Sequence, residues 1–418
     1  MREYILIFDI ANIVSGAQIY YRNKIKYLEE RGWKVIVLPT DTGKLFIKSF
    51  QKYTKKSYFF VHKMPYIFNK RQIKKFLENL CENIQEADDI IIETGTDYTS
   101  YWGELIAKKL NARHIVFFLD EKNDRVNRFT APFFKFKYER NELASISEKS
   151  LNYIFSPFFN TKESTEHVLS AYCSNSISDE KNIDEELLPH GDYIIGSIGR
   201  LDKSFVNNII EGIIKFADKY NKKEIVAYFI GGASNERENE IKNKLESKGI
   251  KCYVTGYIWP IPLELIKKID IFVSGAGSSR ISAKVGKTTI DMDVINNLPR
   301  GFFGNFQEQN LKKYYHIQIE KKDAELFDYF EKALIEEEVP QIREKIDFEE
   351  EWKEICKKFD EHMKFIENAN ENRKYYDTTT LWDGKVSHIL DRIVLKFISY
   401  NLFEKIRKKY CEIFKKTF

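Results

Sequence analysis

Hydrophobic residues along this chain alternate between short continuous runs and longer stretches in which they recur every three or four positions. Over the first 175 residues the runs at Tyr4–Asp9, Val35–Leu38, Tyr58–Val61, Ile90–Glu93, His114–Asp120 and Tyr153–Phe155 predict strands. The stretches Ile19–Arg31, Gln72–Ile84 and Tyr101–Leu110 predict amphipathic helices between them. Strands that are apolar at every position, separated by helices, fit a parallel sheet covered on both faces. Gly32 follows the first helix where a left-handed C-cap belongs.

The polar, acidic stretch Ser174–Asp192, with Pro189 and Gly191 near its end, then interrupts the pattern and reads as a linker. A second alternation follows. Strands are expected at Tyr193–Ile198, Ile225–Ile230, Lys251–Thr255, Ile271–Ser274 and Thr288–Met292, and helices at Phe205–Tyr220, Glu236–Lys248, Leu263–Lys268 and Ser279–Val285. Beyond about Gln341 only helical spacing remains, in the charge-rich Glu349–Glu367 and the basic Val386–Phe414. The expected fold is therefore α/β. It has two Rossmann-like doubly wound domains, 1–175 and 192–340, a linker at 176–191 and a C-terminal helical extension at 341–418. Such sheets bind ligands at the carboxyl ends of their strands, which predicts a cleft between the two carboxyl edges.

At 418 residues the chain exceeds what one core usually supports. Its 43% hydrophobic and 31% charged residues are a globular composition, and no apolar run approaches the ~18 residues of a membrane span. The N-terminus enters a strand without a signal-peptide pattern, and the five cysteines show no CxxC or Cys/His spacing, so a reducing cytoplasm is expected. The seven histidines form no HxxxH or HExxH pattern, and no metal ligand is expected among them. A net charge of +4 says little, but from Arg392 to Phe418 eight Lys/Arg face two Glu. Because that excess is terminal and carries no base-stacking motif, nucleic-acid binding is not expected.

Three segments could hold an anion. Asn12–Gln18 ends the first strand and opens the first helix; Ser15 and Gly16 there would let backbone N–H groups face a phosphate. Gly199-Arg200-Leu201-Asp202-Lys203 follows the first strand of the second domain, where a bidentate Arg and a mobile Lys suit a diphosphate. Gly275-Ala276-Gly277-Ser278-Ser279 joins a strand to a helix N-terminus as a phosphate cradle. No GK[ST] closes that loop, and Gly286-Lys287-Thr288 lacks the upstream glycine of a P-loop, which disfavours a nucleoside triphosphatase.

Taken in order, SGAQIYYRNKIKYLEERGWKV, IGRLDK, FIGGA, YVTGYIWP and IDIFVSGAGSS followed by GKTTI resemble the GT-B glycosyltransferases, most of all those that build bacterial surface polysaccharides. The resemblance covers residues 1 to about 300. It implies that Ser15 and Gly16 meet the donor phosphate or sugar, and that Arg200 and Lys203 form the diphosphate-binding pair. It places Gly256, Tyr257 and Ile258, with Trp259 nearby, at the nucleotide base. Asp120 matches the aspartate of the family's His-Asp pair, with Leu119 in the histidine's place. The glutamate pair of retaining members has no counterpart, since no Glu lies between Glu264 and Glu308; the Gly275–Ser279 loop resembles the Gly/Ser-rich phosphate loop of other members.

An inverting member needs a base for the acceptor hydroxyl; Asp97 and Asp120 are the candidates, with Glu121 beside them. Either aspartate could instead cap a helix. The expected activity is sugar transfer from a nucleotide-sugar donor to a cell-surface glycan or its lipid-linked precursor. No cofactor or metal is called for, since Arg200, Lys203 and the helix after Gly277 supply positive potential. Competing readings are a non-catalytic GT-B partner of another transferase, favoured by the missing glutamates, and a nucleotide-sugar epimerase of the same architecture. Finally, Ile389–Phe414 is expected to be one basic amphipathic helix. Packing is expected before Tyr400; after it, packing and contact with an anionic membrane surface are both open, and the second would place the cytoplasmic protein at the inner face of the membrane.

Overall fold

The computed structural model describes residues 2–11, 14–82, 84, 87, 89–120, 123–161, 165–171, 177–178, 188–275, 277–294, 296–308, 311–339, 348–369 and 372–414. Two compact units emerge. The first is Met1–Asn12, Tyr20–Tyr172 and Trp352–Phe418; the second is Ile13–Ile19 and Cys173–Glu351.

The first unit is built on five parallel strands, β1 (Arg2–Phe8), β2 (Lys34–Pro39), β3 (Asp89–Thr94), β4 (Arg113–Phe118) and β5 (Leu143–Ser145), in the order β2-β1-β3-β4-β5. Tyr4 to Phe8 are all buried, as a central strand between two helical layers requires. Its helices are α1 (Gly16–Glu30), whose first turn to Ile19 groups with the second unit, α2 (Lys70–Cys81), α3 (Asp97–Leu110), α4 (Ala131–Tyr138) and α5 (Glu148–Phe155). A capping box between Asn69 and Gln72 starts α2, and Asn111 in the left-handed region (φ 50°) ends α3.

Two expected strands of this unit are not strands. Tyr58–Val61 overlaps a 3-10 turn at Phe59–His62. Its residues are apolar because they pack against helices: the Phe60 ring lies 4.2 Å from Phe76 and 5.1 Å from Trp102. Tyr153–Phe155 is the last turn of α5, with Leu151, Ile154 and Phe155 buried at helical spacing and Ser147 Oγ accepting from Ser150 N–H at 3.0 Å. The fifth strand is the three-residue Leu143–Ser145.

In the second unit the short β6 (Ile177–Ser178) pairs only with β10 (Ile261–Pro262). The main sheet holds β7 (Tyr193–Ile198), β8 (Ile225–Ile230), β9 (Lys251–Val254), β11 (Ile271–Gly275), β12 (Thr288–Met292), β13 (Pro299–Glu308) and β14 (Leu311–Ile317). Their order is β14-β13-β12-β11-β7-β8-β9, parallel except for the antiparallel β13 and β14. Helices α6 (Val206–Lys219), α7 (Asn235–Glu246), α8 (Leu263–Lys267), α9 (Gly277–Lys284) and α10 (Leu326–Leu334) cover it. Successive residues feed opposite cores. Ile195, Ala227, Phe229, Ile271 and Val273 pack on one face; Ile194, Val226, Tyr228, Ile230 and Phe272 pack on the other.

Three further helices follow: α11 (Phe348–Glu367), α12 (Val386–Val394) and α13 (Tyr400–Phe414). Residues from all three segments return to the first unit. Tyr27 Oη donates to Asp360 at 2.7 Å, the Phe117 and His362 rings are 4.8 Å apart, and Leu395 and Phe403 enter the core of Ile5, Ile7 and Trp102. The single helix expected over Ile389–Phe414 is two. After α12 the amides of Lys396 and Phe397 turn back three residues, and Ser399 restarts the chain by accepting from Leu402 N–H at 3.3 Å. Among the described residues no helix is long and apolar enough to cross a membrane.

Candidate functional site

In the second unit the chain runs outward from β7 through β8 to β9, then crosses back to β11 and β12 on the other side of β7. The switch point between β7 and β11 is where an open α/β sheet offers a crevice. Backbone pairing there stops at Gly196 and Phe272. Further on, Ile198 N–H reaches the Ser274 hydroxyl at 3.0 Å in place of a carbonyl, so the strands part towards their carboxyl ends.

Two of the expected anion-binding segments meet at this opening. Gly199 leaves β7 at φ +137°, and a Cβ added there would lie 3.5 Å from Ser278 Oγ in the first turn of α9. Among the described residues beyond its own helix backbone and chain neighbours, Gly277 has no atom within 4 Å of the place its Cβ would take, so that side of the α9 start is open. The first-turn N–H groups of a helix have no partner within the helix. Ala276 lies outside the described residues. The buried Ser279 hydroxyl donates to Ser274 O at 2.9 Å and bonds Asp291, tying α9 to β11 and β12. Only its backbone can serve an anion. Gly275 is a packing glycine, with Phe205 Cζ 3.1 Å from its added Cβ.

Arg200 stands beside the opening, its Nε 3.2 Å from Asp202 Oδ1. Leu201 N–H holds this turn to Gly232 O at 3.2 Å. Tyr257 packs against Gly232, with Cε2 3.2 Å from the added Cβ. Burial pushes the Tyr257 phenol up; the charge of Arg200 opposes that, while Asp202 and Glu238 add to it. Gly256, at φ +67°, pairs with Gly231 and brings the β9 end to the same edge. Ile258 is half-buried just beyond Tyr257, and Lys203 is exposed in the turn that opens α6.

Gly231 permits this arrangement. At φ +155° its Cβ would fall 1.8 Å from Gly199 O, a backbone atom that cannot step aside. Gly231→Ala is expected to lower unfolding free energy by about 3 kcal/mol or more, read by urea titration. An unchanged midpoint would mean that the two backbones are not so close.

In the first unit the switch point lies between β1 and β3. Asp97 is buried as the first residue of α3, with Arg125 Nη1 3.4 Å from its Oδ1 and the α3 start amides of Asp97 and Tyr98 lowering its carboxyl. Burial raises its carboxyl, against the pull of Arg125 and the two amides. Asp120 is half-buried; its Oδ2 accepts from Asn123 Nδ2 at 2.9 Å, and burial raises it too. Glu121 lies outside the described residues. Ser15 caps its own helix: its hydroxyl bonds Gln18 Oε1 and accepts from Ala17 N–H at 3.3 Å, while Gly16 begins α1.

A further carboxylate stands at this edge without having been singled out from sequence. Asp9 directly follows β1, half-buried, with Oδ1 accepting from Ala11 N–H at 2.9 Å. Burial lifts it to about 6; the Ala11 N–H works against the shift and Asp41 adds to it. The available signal was positional: an acidic residue closing the first, wholly apolar strand, just ahead of the Ser15-Gly16 turn.

No family model and no curated protein matches the sequence. Solved structures do. A glycosyltransferase from Rickettsia africae aligns at 14% identity over 95% of this chain and 100% of its own, with TM-score 0.52. The lipopolysaccharide outer core galactosyltransferase WaaB aligns at 11% identity over 95% and 100%, TM-score 0.45. A UDP-GlcNAc 2-epimerase from Neisseria meningitidis, bound to UDP-GlcNAc, aligns at 13% over 95% and 100%, TM-score 0.37. The likeness to the first establishes the fold class: α/β with two Rossmann-like units, as in GT-B glycosyltransferases. At that identity it speaks for architecture alone.

Proposed function

We propose that this protein is a glycosyltransferase that moves a sugar from a nucleotide-sugar donor to a cell-surface glycan or its lipid-linked precursor. The observation that carries the reading is the approach of Gly199, with Arg200 next in sequence, to the start of α9 at the β7/β11 switch point. A leaving diphosphate needs close backbone approach, N–H donors and a cation; Gly199 and the start of α9 support the first two, and Arg200, directly after Gly199, would supply the third. Arg200 and Lys203 clamp the diphosphate, Gly256, Tyr257 and Ile258 hold the base, and the first turn of α9 from Gly277 through Ser279 receives a phosphate oxygen on its amides.

In this reading a carboxylate acts as the proton acceptor for the acceptor hydroxyl. A base works best when its pKa lies near the working pH; Asp9, lifted by burial to about 6, joins Asp97 and Asp120, whose carboxyls burial also raises, as a candidate. Ser15 and Gly16 take part through the start of α1 and not through the Ser15 hydroxyl, which is engaged with Gln18. Cationic stabilisation of the departing diphosphate, with an oriented acceptor hydroxyl, accounts for transfer without a further cofactor.

Thermal-shift measurements across nucleoside diphosphates, nucleotide sugars and nucleosides test the donor half. A ligand present at a hundredfold over its Kd stabilises the native state by about 2.7 kcal/mol, which moves the midpoint by several degrees. One nucleoside diphosphate should do so and its nucleoside should fall short. No shift with any nucleotide would leave a non-catalytic GT-B partner as the better description.

A further inference from the structure

The C-terminal segment buries one set of apolar residues and exposes another. Leu395 is 1% and Phe403 9% exposed, both packed in the first unit's core. The docking is directional: Gln72 Nε2 donates to Leu395 O at 3.1 Å, and the Arg392 guanidinium lies 4.2 Å over the Tyr66 ring. With the segment anchored that way, α12 has no buried residue. Val386, Leu390, Ile393 and Phe397 stand 67%, 58%, 48% and 82% exposed, and Leu402 and Ile406 of α13 are about half exposed, at 47% and 54%. Spacings of four, three and four put the first four on one side of the helical path. A stripe of this kind ordinarily faces a core; here a second stripe from the same segment already does.

Charge identifies the covering phase. Lys396, Lys405 and Lys409 are exposed and Arg392 and Arg407 half-exposed along the same segment. The acids among them are engaged on the protein side: Glu404 lies 3.9 Å from Lys63, and Asp391 sits in the field of Arg407, His388 and Lys63. A second copy of this surface would bring the same cations towards one another. A bilayer containing anionic lipid offers an apolar interior and negative headgroups together.

We propose that α12, the turn at Phe397 and the first half of α13 form a surface that lies flat on an anionic membrane. The apolar side chains enter the headgroup boundary and the cations meet the lipid charges. The sequence pattern left membrane contact open after Tyr400 and placed packing before it; the structure exposes the larger apolar stripe before Tyr400 and buries Phe403 after it. This surface stands whether or not the chain transfers sugar.

Co-sedimentation of the full-length protein with phosphatidylglycerol–phosphatidylcholine vesicles, against pure phosphatidylcholine, tests it. Wild type should pellet with the anionic vesicles at about 0.05 M salt and much less at about 0.5 M, where screening shortens the reach of the cations. Leu390→Glu with Phe397→Glu should lower partitioning roughly a hundredfold, since two large side chains lose their apolar phase. Lys396→Gln with Lys405→Gln should lower it about 25-fold, from about fivefold per cation. All four residues are exposed, so thermal midpoints should stay close to wild type and show that each variant is folded. Wild type remaining in the supernatant with anionic vesicles at low salt would overturn the proposal. So would equal pelleting of both variants. A wild-type dimer by light scattering that Leu390→Glu with Phe397→Glu dissociates, without vesicle binding by either, would assign the surface to a second copy instead.

Discussion

Asp9→Asn should reduce kcat by roughly a hundredfold to ten-thousandfold while leaving nucleoside diphosphate affinity unchanged. The side chain closes β1 at the first unit's switch point, and Asn keeps its shape and its acceptor for Ala11 N–H. What it loses is basicity. Burial holds the carboxyl at about 6, so the wild-type kcat/KM should fall as pH drops below that value and the base takes up a proton. Stability gives an independent sign. A carboxyl raised from 3.8 to about 6 on folding contributes stability below its unfolded pKa, and that contribution is lost as pH rises through the folded pKa. Asp9→Asn should therefore melt higher than wild type at pH 7, by a margin that closes towards pH 4. Lower turnover with a higher melting point is the signature of a strained functional group. If Asp9→Asn turns over normally while Asp97→Asn or Asp120→Asn does not, the base is one of those two.

Arg200→Ala should weaken nucleoside diphosphate binding by one to two orders of magnitude, as expected for a charge-assisted hydrogen bond worth about 1.5–3 kcal/mol. The free nucleoside should bind mutant and wild type alike. The structure sharpens this contrast. Arg200 Nε lies in ion-pair distance of Asp202 Oδ1, 3.2 Å away, one residue after the Gly199 that approaches α9, and its charge acts on Tyr257 on the edge proposed for the base. Asp202→Asn should accordingly give a smaller loss confined to the diphosphate, because it loosens the ion pair and spares the cation. Equal weakening of nucleoside and diphosphate by Arg200→Ala would make the arginine structural, and isothermal calorimetry with both ligands distinguishes the two.

Much of this was legible in the residues because parallel strands buried on both faces are apolar at every position. Tyr193–Ile198, Ile225–Ile230 and Thr288–Met292 are strands with the expected bounds for that reason. The same signal misled where apolar runs are buried by other means, as at Tyr58–Val61 against Phe76 and Trp102. The β13–β14 hairpin went unforeseen because the aromatic residues of Pro299–Glu308 and Leu311–Ile317 are broken up by Gly301, Gly304, Asn305, Lys312 and Lys313, without the apolar continuity of a central strand. At the β7/β11 edge, glycine order located the Gly199 and Gly275–Ser279 segments, since close backbone approach has no other residue to use. Local sequence could not show which hydroxyls were already engaged: Ser279 with Ser274 and Asp291, Ser15 with Gln18. Asp9 escaped notice because its raised carboxyl comes from surroundings distant in sequence, Asp41 among them.

The first unit is interrupted in sequence by almost the whole of the second. On a ribosome this reverses the usual order of maturation. The stretch Cys173–Glu351 has emerged complete while the earlier-made sheet of β1 to β5 still lacks α11 to α13. Until Phe359, Leu395 and Phe403 arrive, the faces they cover are open to solvent and to passing chaperones. A message that stops near residue 380 would yield a protein whose later-encoded half has its full core and whose earlier-encoded half does not. Quality control would meet the defect at the end of the molecule that was made first.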